Sequence, residues 1–101
     1  MEKTIEGARR PMDVYAAIKE MREISEKGGT FSLKHRKWDR QRGKGGDLVH
    51  VSEARLRPAA KEEQIENSDF KLFYTDTQTG VAKVCWQMLL VEFNGHPLSL
   101  N

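Results

Sequence analysis

The dipeptide Asn94-Gly95, with apolar residues alternating on both sides of it, constrains this chain more than any other feature. Asn-Gly suits the two left-handed positions of a type I′ turn, whose twist matches that of paired antiparallel strands. A two-residue turn there predicts the cross-strand pairs Phe93–His96, Val91–Leu98 and Leu89–Leu100. The last two pairs are apolar on both sides, so the register is self-consistent, and Trp86, Met88 and Leu90 go to the opposite face. The entering strand, Val81 to Phe93, is apolar on both faces between Val84 and Val91, which predicts a central strand covered on both sides. Pro97 has no N–H to donate, so the last strand is predicted to be an edge.

Upstream the periodicity is helical. Asp13 is a candidate N-cap, and Val14, Ile18, Met21 and Ile24 or Ser25 recur at the spacing of one helix face. Lys19, Glu20, Arg22, Glu23, Glu26 and Lys27 fill the other face, and Gly28-Gly29 supplies a C-terminal stop. From Thr30 the period becomes two. Phe31, Leu33 and His35 share a face, and Trp38 has the opposite parity, so either a bulge intervenes or Trp38 sits on the other side. Asp39 to Gly46, with three glycines, reads as a mobile hairpin tip.

A second strand is predicted from Leu48 to about Arg57 and ended by Pro58. Its faces are Leu48, His50, Ser52, Ala54 and Leu56 on one side, and Val49, Val51, Glu53, Arg55 and Arg57 on the other. Residues 59 to 69 suit one or two helical turns, followed by a turn at Asn67-Ser68-Asp69. Phe70 to Thr75 is an aromatic strand, joined to the next by the loop Asp76 to Gly80, with Gly80 in a left-handed position. The expected fold is α+β: one N-terminal amphipathic helix packed on an antiparallel meander of about five strands, strongly bent or closed into a small barrel. Residues 12–101 form the single domain, and residues 1–11 a loose arm.

Several function classes lack a signature. The run Val84 to Val91 is far shorter than the ~20 residues of a membrane-spanning helix. The charged start Met1 to Gly7 has no apolar signal region, so residence in the cytoplasm is expected and a membrane partner is not. Cys85 is the single cysteine and sits in an apolar run, which reads as a small buried hydrophobe. His35, His50 and His96 are isolated, and one cysteine with three scattered histidines does not make a structural zinc site. His35 and His50 are placed on the apolar faces of neighbouring strands. Gly43, Gly45 and Gly46 are followed by Asp47 and a strand rather than by a phosphate-binding helix. Glu62, Glu63 and Glu66 read as solvated. No catalytic residue, cofactor, metal site or small-molecule substrate is predicted, and the chain reads as a non-enzymatic protein.

Charge is where the chain departs from blandness. The net charge is only +2, but Lys34 to Lys61 holds nine Lys or Arg against three acids, and Glu62 to Asp76 five acids against one Lys. Lys34, Arg36, Lys37, Arg40, Arg42 and Lys44 fall within eleven residues, with Trp38 among them. Cations attract phosphates and an exposed ring stacks on a base, so this hairpin is a candidate nucleic-acid surface, extended by Arg55 and Arg57 where the two strands pair. The competing surface is the apolar edge at Leu98 and Leu100, which suits pairing with another protein or a second copy.

The stretches Ala54-Arg55-Leu56-Arg57-Pro58, Lys61-Glu62-Glu63, Lys71-Leu72-Phe73-Tyr74, Thr79-Gly80, Cys85-Trp86-Gln87 and Phe93-Asn94-Gly95 together resemble small uncharacterised proteins encoded by phages and prophage-like mobile elements of gut bacteria. The resemblance implies a context, a structural or accessory component of such an element, in the host cytoplasm or the virion. It carries no site residue with it. The expectation is therefore a small binding or assembly protein, with nucleic-acid binding by the basic hairpin as the alternative.

Overall fold

The computed structural model describes residues 11–39, 41, 43–64 and 67–100, with side chains at all of these but 39 and 44. The predicted arm lies outside them except for Pro11, as do Arg40, Arg42, Ile65 and Glu66. The elements run β1 (Met12–Asp13), α1 (Val14–Glu26), β2 (Phe31–Asp39), β3 (Lys44–Leu56), β4 (Lys71–Asp76), β5 (Val81–Trp86), β6 (Leu90–Phe93) and β7 (His96–Ser99). Short 3₁₀ turns occupy Lys61–Gln64, Ser68–Phe70 and Gln87–Leu89. The strands form one sheet in the order β1-β7-β6-β2-β3-β4-β5. Every pair is antiparallel except β1 with β7, where Met12 lies beside Leu98 and Asp13 beside Ser99. The α+β class and the single helix agree with the sequence, whereas the sheet is mixed, has seven strands rather than about five, and stays open.

α1 forms where its spacing predicts it. The Asp13 carboxylate accepts the Ala16 N–H at 3.1 Å, the N-cap bond. At the other end the Gly29 N–H reaches the Ile24 carbonyl at 2.9 Å and the Gly28 N–H the Ser25 carbonyl at 3.0 Å. This reverse turn needs a left-handed residue, and Gly28 takes it at φ +80°. Val14, Ala17, Ile18 and Met21 are buried against the sheet. Full burial of Val14, Ile18 or Met21 is worth about 1.5–3 kcal/mol each. A polar clasp fixes the helix further: the Ser25 hydroxyl donates to the Met21 carbonyl at 2.7 Å and accepts the Leu56 N–H at 2.9 Å.

The core continues from α1 through Phe31, Leu33, Val51, Ala54, Leu72, Tyr74, Cys85, Leu90 and Phe93. Three register shifts decide which residues face inward. Phe31 pairs with Ala54 but Leu33 with Val51, so Ser52 and Glu53 together oppose Ser32. That extra residue reverses the parity of β3 and brings Val51 and Ala54 to the same buried side. The predicted face of Leu48, His50, Ser52, Ala54 and Leu56 is thereby corrected, because strict alternation ends at the bulge. His50 is exposed while His35 is buried, so the two histidines do not share a face. In β6, Lys34 opposes Glu92 and His35 opposes Leu90, leaving Val91 extra and both Leu90 and Phe93 inside.

The strand expected from Val81 to Phe93 is two strands joined by the 3₁₀ corner Gln87–Leu89. β6 is internal to the sheet, but β5 ends it. Val81 and Val84 are 50% and 44% exposed, and Met88 is exposed too. A continuous apolar run does not by itself distinguish a doubly covered strand from one that leaves apolar side chains at the surface. The Asn94-Gly95 turn forms and pairs Phe93 with His96 as predicted, then Glu92 with Pro97. The ladder does not extend to Val91–Leu98 or Leu89–Leu100: Val91 is the extra residue of β6, Leu89 lies in the 3₁₀ corner, and Leu98 lies beside Met12. Asn94 also ties the hairpin to β2, its side-chain oxygen accepting the Ser32 N–H at 2.9 Å. No helix among the described residues is long and apolar enough to cross a membrane.

Candidate functional site

β2 and β5 are separated by two strands in the sheet, yet they face one another across a cleft. The sheet curls enough for His35 on β2 to meet Tyr74 on β4, Nε2 to hydroxyl, at 2.9 Å. The cleft, about 480 Å³, is the open seam of this curl. Its floor is His35, Tyr74 and Cys85, all buried. Trp38 and Val49 come to it from the β2–β3 hairpin, Val84 and Trp86 from β5, and three cations, Arg36, Lys37 and Lys83, complete the lining.

A second irregularity shapes the hairpin side. Arg36 pairs with Leu48 and Trp38 with Gly45, so the strands shift register between them, as the parity of Trp38 had suggested. Gly45 permits the close approach: a Cβ there would stand 3.2 Å from Arg36 Cδ and 3.3 Å from Leu89 Cδ2. Trp38 is left 45% exposed, with Arg36 and Lys37 exposed beside it. The Arg36 guanidinium donates to the Gly46 carbonyl at 3.1 Å, which steadies it along the hairpin. On the β5 side, Lys71 lies over the Trp86 ring at 5.0 Å. Lys83 approaches the Asp76 carboxylate at 3.9 Å.

The floor is chemically quiet. His35 Nδ1 lies 3.3 Å from the Arg36 carbonyl, which can only accept, so Nδ1 carries the proton and the Tyr74 hydroxyl donates to Nε2. Burial pushes the His35 pKa below its ordinary 6.5, and Lys83 and Lys37 push in the same direction against the Arg36 hydrogen bond. Burial raises the Tyr74 hydroxyl, and the Cys85 thiol is pushed up to about 12. A neutral imidazole, an un-ionised phenol and a protonated thiol provide no activated nucleophile. Among the described residues no group of three or more His, Cys, Asp and Glu converges as a metal site.

The other residues singled out in the sequence go elsewhere. Lys34 alternates away from His35 and pairs with Glu92 at 3.4 Å. Arg55 is exposed but bonds the Gly28 and Gly29 carbonyls at 2.7 and 3.1 Å, closing the end of α1. Arg57 is built into the fold. It grips both oxygens of Glu63 at 2.7 and 3.1 Å, donates to the Tyr74, Lys83 and Pro58 carbonyls, and lies over the Phe73 ring. All five of its N–H donors are thus engaged, and Glu63, expected to be solvated, is held by Arg57 and the Ala60 N–H at a pKa of about 2. Arg55 and Arg57 therefore do not extend the basic hairpin. Arg40 and Arg42 lie outside the described residues, as does the Lys44 side chain. The last strand is not the edge that Pro97 predicted: β1 pairs along its outer side, with Leu98 beside Met12 and partly buried against the core, and Leu100 is exposed beyond it.

The sequence does not single out Lys83 and Trp86 as site residues, because Val81 to Phe93 reads as one central strand. Alternation with Cys85 puts Lys83 on the inner side of β5, and a lysine on the inner face of an apolar strand was the available signal. No family model, curated protein or solved structure matches this chain.

Proposed function

We propose that this chain is a small non-enzymatic binding domain whose ligand is nucleic acid, held at the basic end of the β2–β3 hairpin. The observation that supports it is the cluster of Arg36, Lys37 and half-exposed Trp38 beside Lys83, a cleft with no carboxylate in its lining among the described residues and with Asp76 reaching only Lys83, at 3.9 Å. Arg40, Arg42 and Lys44 stand in the same hairpin sequence and add to the charge. Such a protein fits among the accessory components of phages and mobile elements that the sequence resembles, in the host cytoplasm or the virion.

A salt titration of binding to labelled single-stranded DNA, duplex DNA and RNA tests this reading. Affinity is expected to fall steeply with salt, with a slope of about 0.7 per single-strand phosphate neutralised. Substituting Arg36→Gln and Lys37→Gln together should reduce that slope by about 1.4. Absence of binding at low salt overturns the reading.

Assembly with a protein, a second copy included, is favoured by a different observation: among the described residues no strand pairs with the outer side of β5, where Val81 and Val84 are exposed. Concentration-dependent association in light scattering, abolished by Val84→Lys, supports that second reading. A monomer at all concentrations removes self-assembly from it.

A further inference from the structure

We propose that the seam between β2 and β5 receives an unstacked base, so that the protein selects single strands over duplexes; this rests on the nucleic-acid reading above. The cleft has the make-up such a ligand requires. Trp38 and Val49 offer aromatic and apolar surface to a flat ring, and Val84 and Trp86, which alternate to the other side of β5, border it. Arg36, Lys37 and Lys83 offer positive charge to the phosphates on either side of it. At about 480 Å³ the cleft is within the ~300–1,000 Å³ of small-ligand pockets.

The floor explains what kind of recognition to expect. Both ring nitrogens of His35 already have partners, in Tyr74 and the Arg36 carbonyl. His35 thus has no free ring nitrogen to offer an entering base, so stacking and charge hold it, with little preference among the four bases. A duplex keeps its bases stacked inside and can offer only its phosphates to the rim. Insertion from a duplex would require unpairing and unstacking first, which a single strand does not.

Another cavity, about 520 Å³ beside the C-terminal half of α1, is a poorer candidate. Arg22 and Lys71 line it together with Glu26 and Asp69, and its Arg57 is occupied. Lys83 has a competing purpose in the seam: an inward charge on an edge strand discourages pairing with another chain. Binding separates the two roles.

Trp38 and Trp86 are the chain's only tryptophans, and both line the seam, so intrinsic fluorescence reports on it directly. The experiment titrates the full chain at low salt with an oligothymidine, a duplex of equal length, inorganic polyphosphate and a poly-glutamate peptide. The oligothymidine is expected to quench the fluorescence and to bind at least about tenfold more tightly than the duplex, as loss of a stacked base costs ~5- to 150-fold. Trp38→Leu keeps an apolar side chain and should weaken oligothymidine binding more than duplex binding, removing that preference. Lys83→Gln should weaken oligothymidine binding and lower its salt slope by about 0.7.

Equal affinity for strand and duplex, or quenching by polyphosphate or poly-glutamate equal to that by oligothymidine, overturns base insertion and leaves the basic hairpin as a charge surface. Unchanged oligothymidine binding in Lys83→Gln also overturns it and returns Lys83 to guarding the edge. No binding of any nucleic acid overturns the nucleic-acid reading itself.

Discussion

At the scale of single residues, His35 is the group most at odds with water. It is buried, neutral and bonded at both nitrogens. Because burial lowers its folded pKa below 6.5, the unfolded chain binds more protons between the two values. Stability therefore rises with pH across that window, is complete above it, and is lost as pH falls through the folded pKa. Urea denaturation at about pH 7.5 and about pH 5.5 should show the loss in the parent, and His35→Gln should flatten the difference. Equal pH dependence in both proteins would assign it to other groups. Asp13 and the left-handed Gly28 were legible because their partners lie within four residues in the chain. Arg55 and Arg57 were not, because most of their acceptors are main-chain carbonyls, up to 27 residues away. A pattern of residue types cannot register an acceptor that every residue possesses.

At the scale of elements, legibility followed regularity. α1 came through whole, since a 3.6-residue stripe with a cap at each end leaves little choice. The end of that helix can be tested: Gly28→Ala places a Cβ at φ +80° with open space around it, so the cost is conformational alone. A loss of about 1 kcal/mol is expected from thermal or urea unfolding, with the fold unchanged by circular dichroism. A loss near zero would mean that the helix end opens freely. Strands were read well up to their first bulge and poorly beyond it. Ser52-Glu53 and Val91 each reverse a face, and neither carries a glycine or proline to announce it. The apolar run after Val81 was misplaced for a related reason, since a corner of Gln, Met and Leu resembles more strand. The seam consequently lay hidden in the sequence, although Trp38 and its neighbouring cations did not.

At the scale of the whole molecule, one core joins elements from both ends of the described chain, and Cys85 sits within it. Its thiol is 6% exposed and its pKa is pushed up to about 12, so a thiol reagent has neither access nor thiolate in the native protein. Labelling of Cys85 should therefore track global unfolding, its rate rising with urea in step with the equilibrium constant. Fast labelling without urea would show that β5 detaches from β4 on its own. Curling of the sheet, which creates the seam, emerges only at this scale: it is seen in contacts between β2 and β4, which no strand pair records.

The pairing of β2 with β6 has a consequence in time. Leu33 meets Phe93, and Asn94 meets Ser32 across 62 residues of sequence. Closing so long a loop precedes any reward from the contacts it makes, which slows the search. During synthesis β2 and β3 emerge early and can pair, but the other flank of β2 stays bare until residues 90–93 have been added. The growing chain thus carries an unpartnered β2 flank until β6 arrives, and only then does the core close.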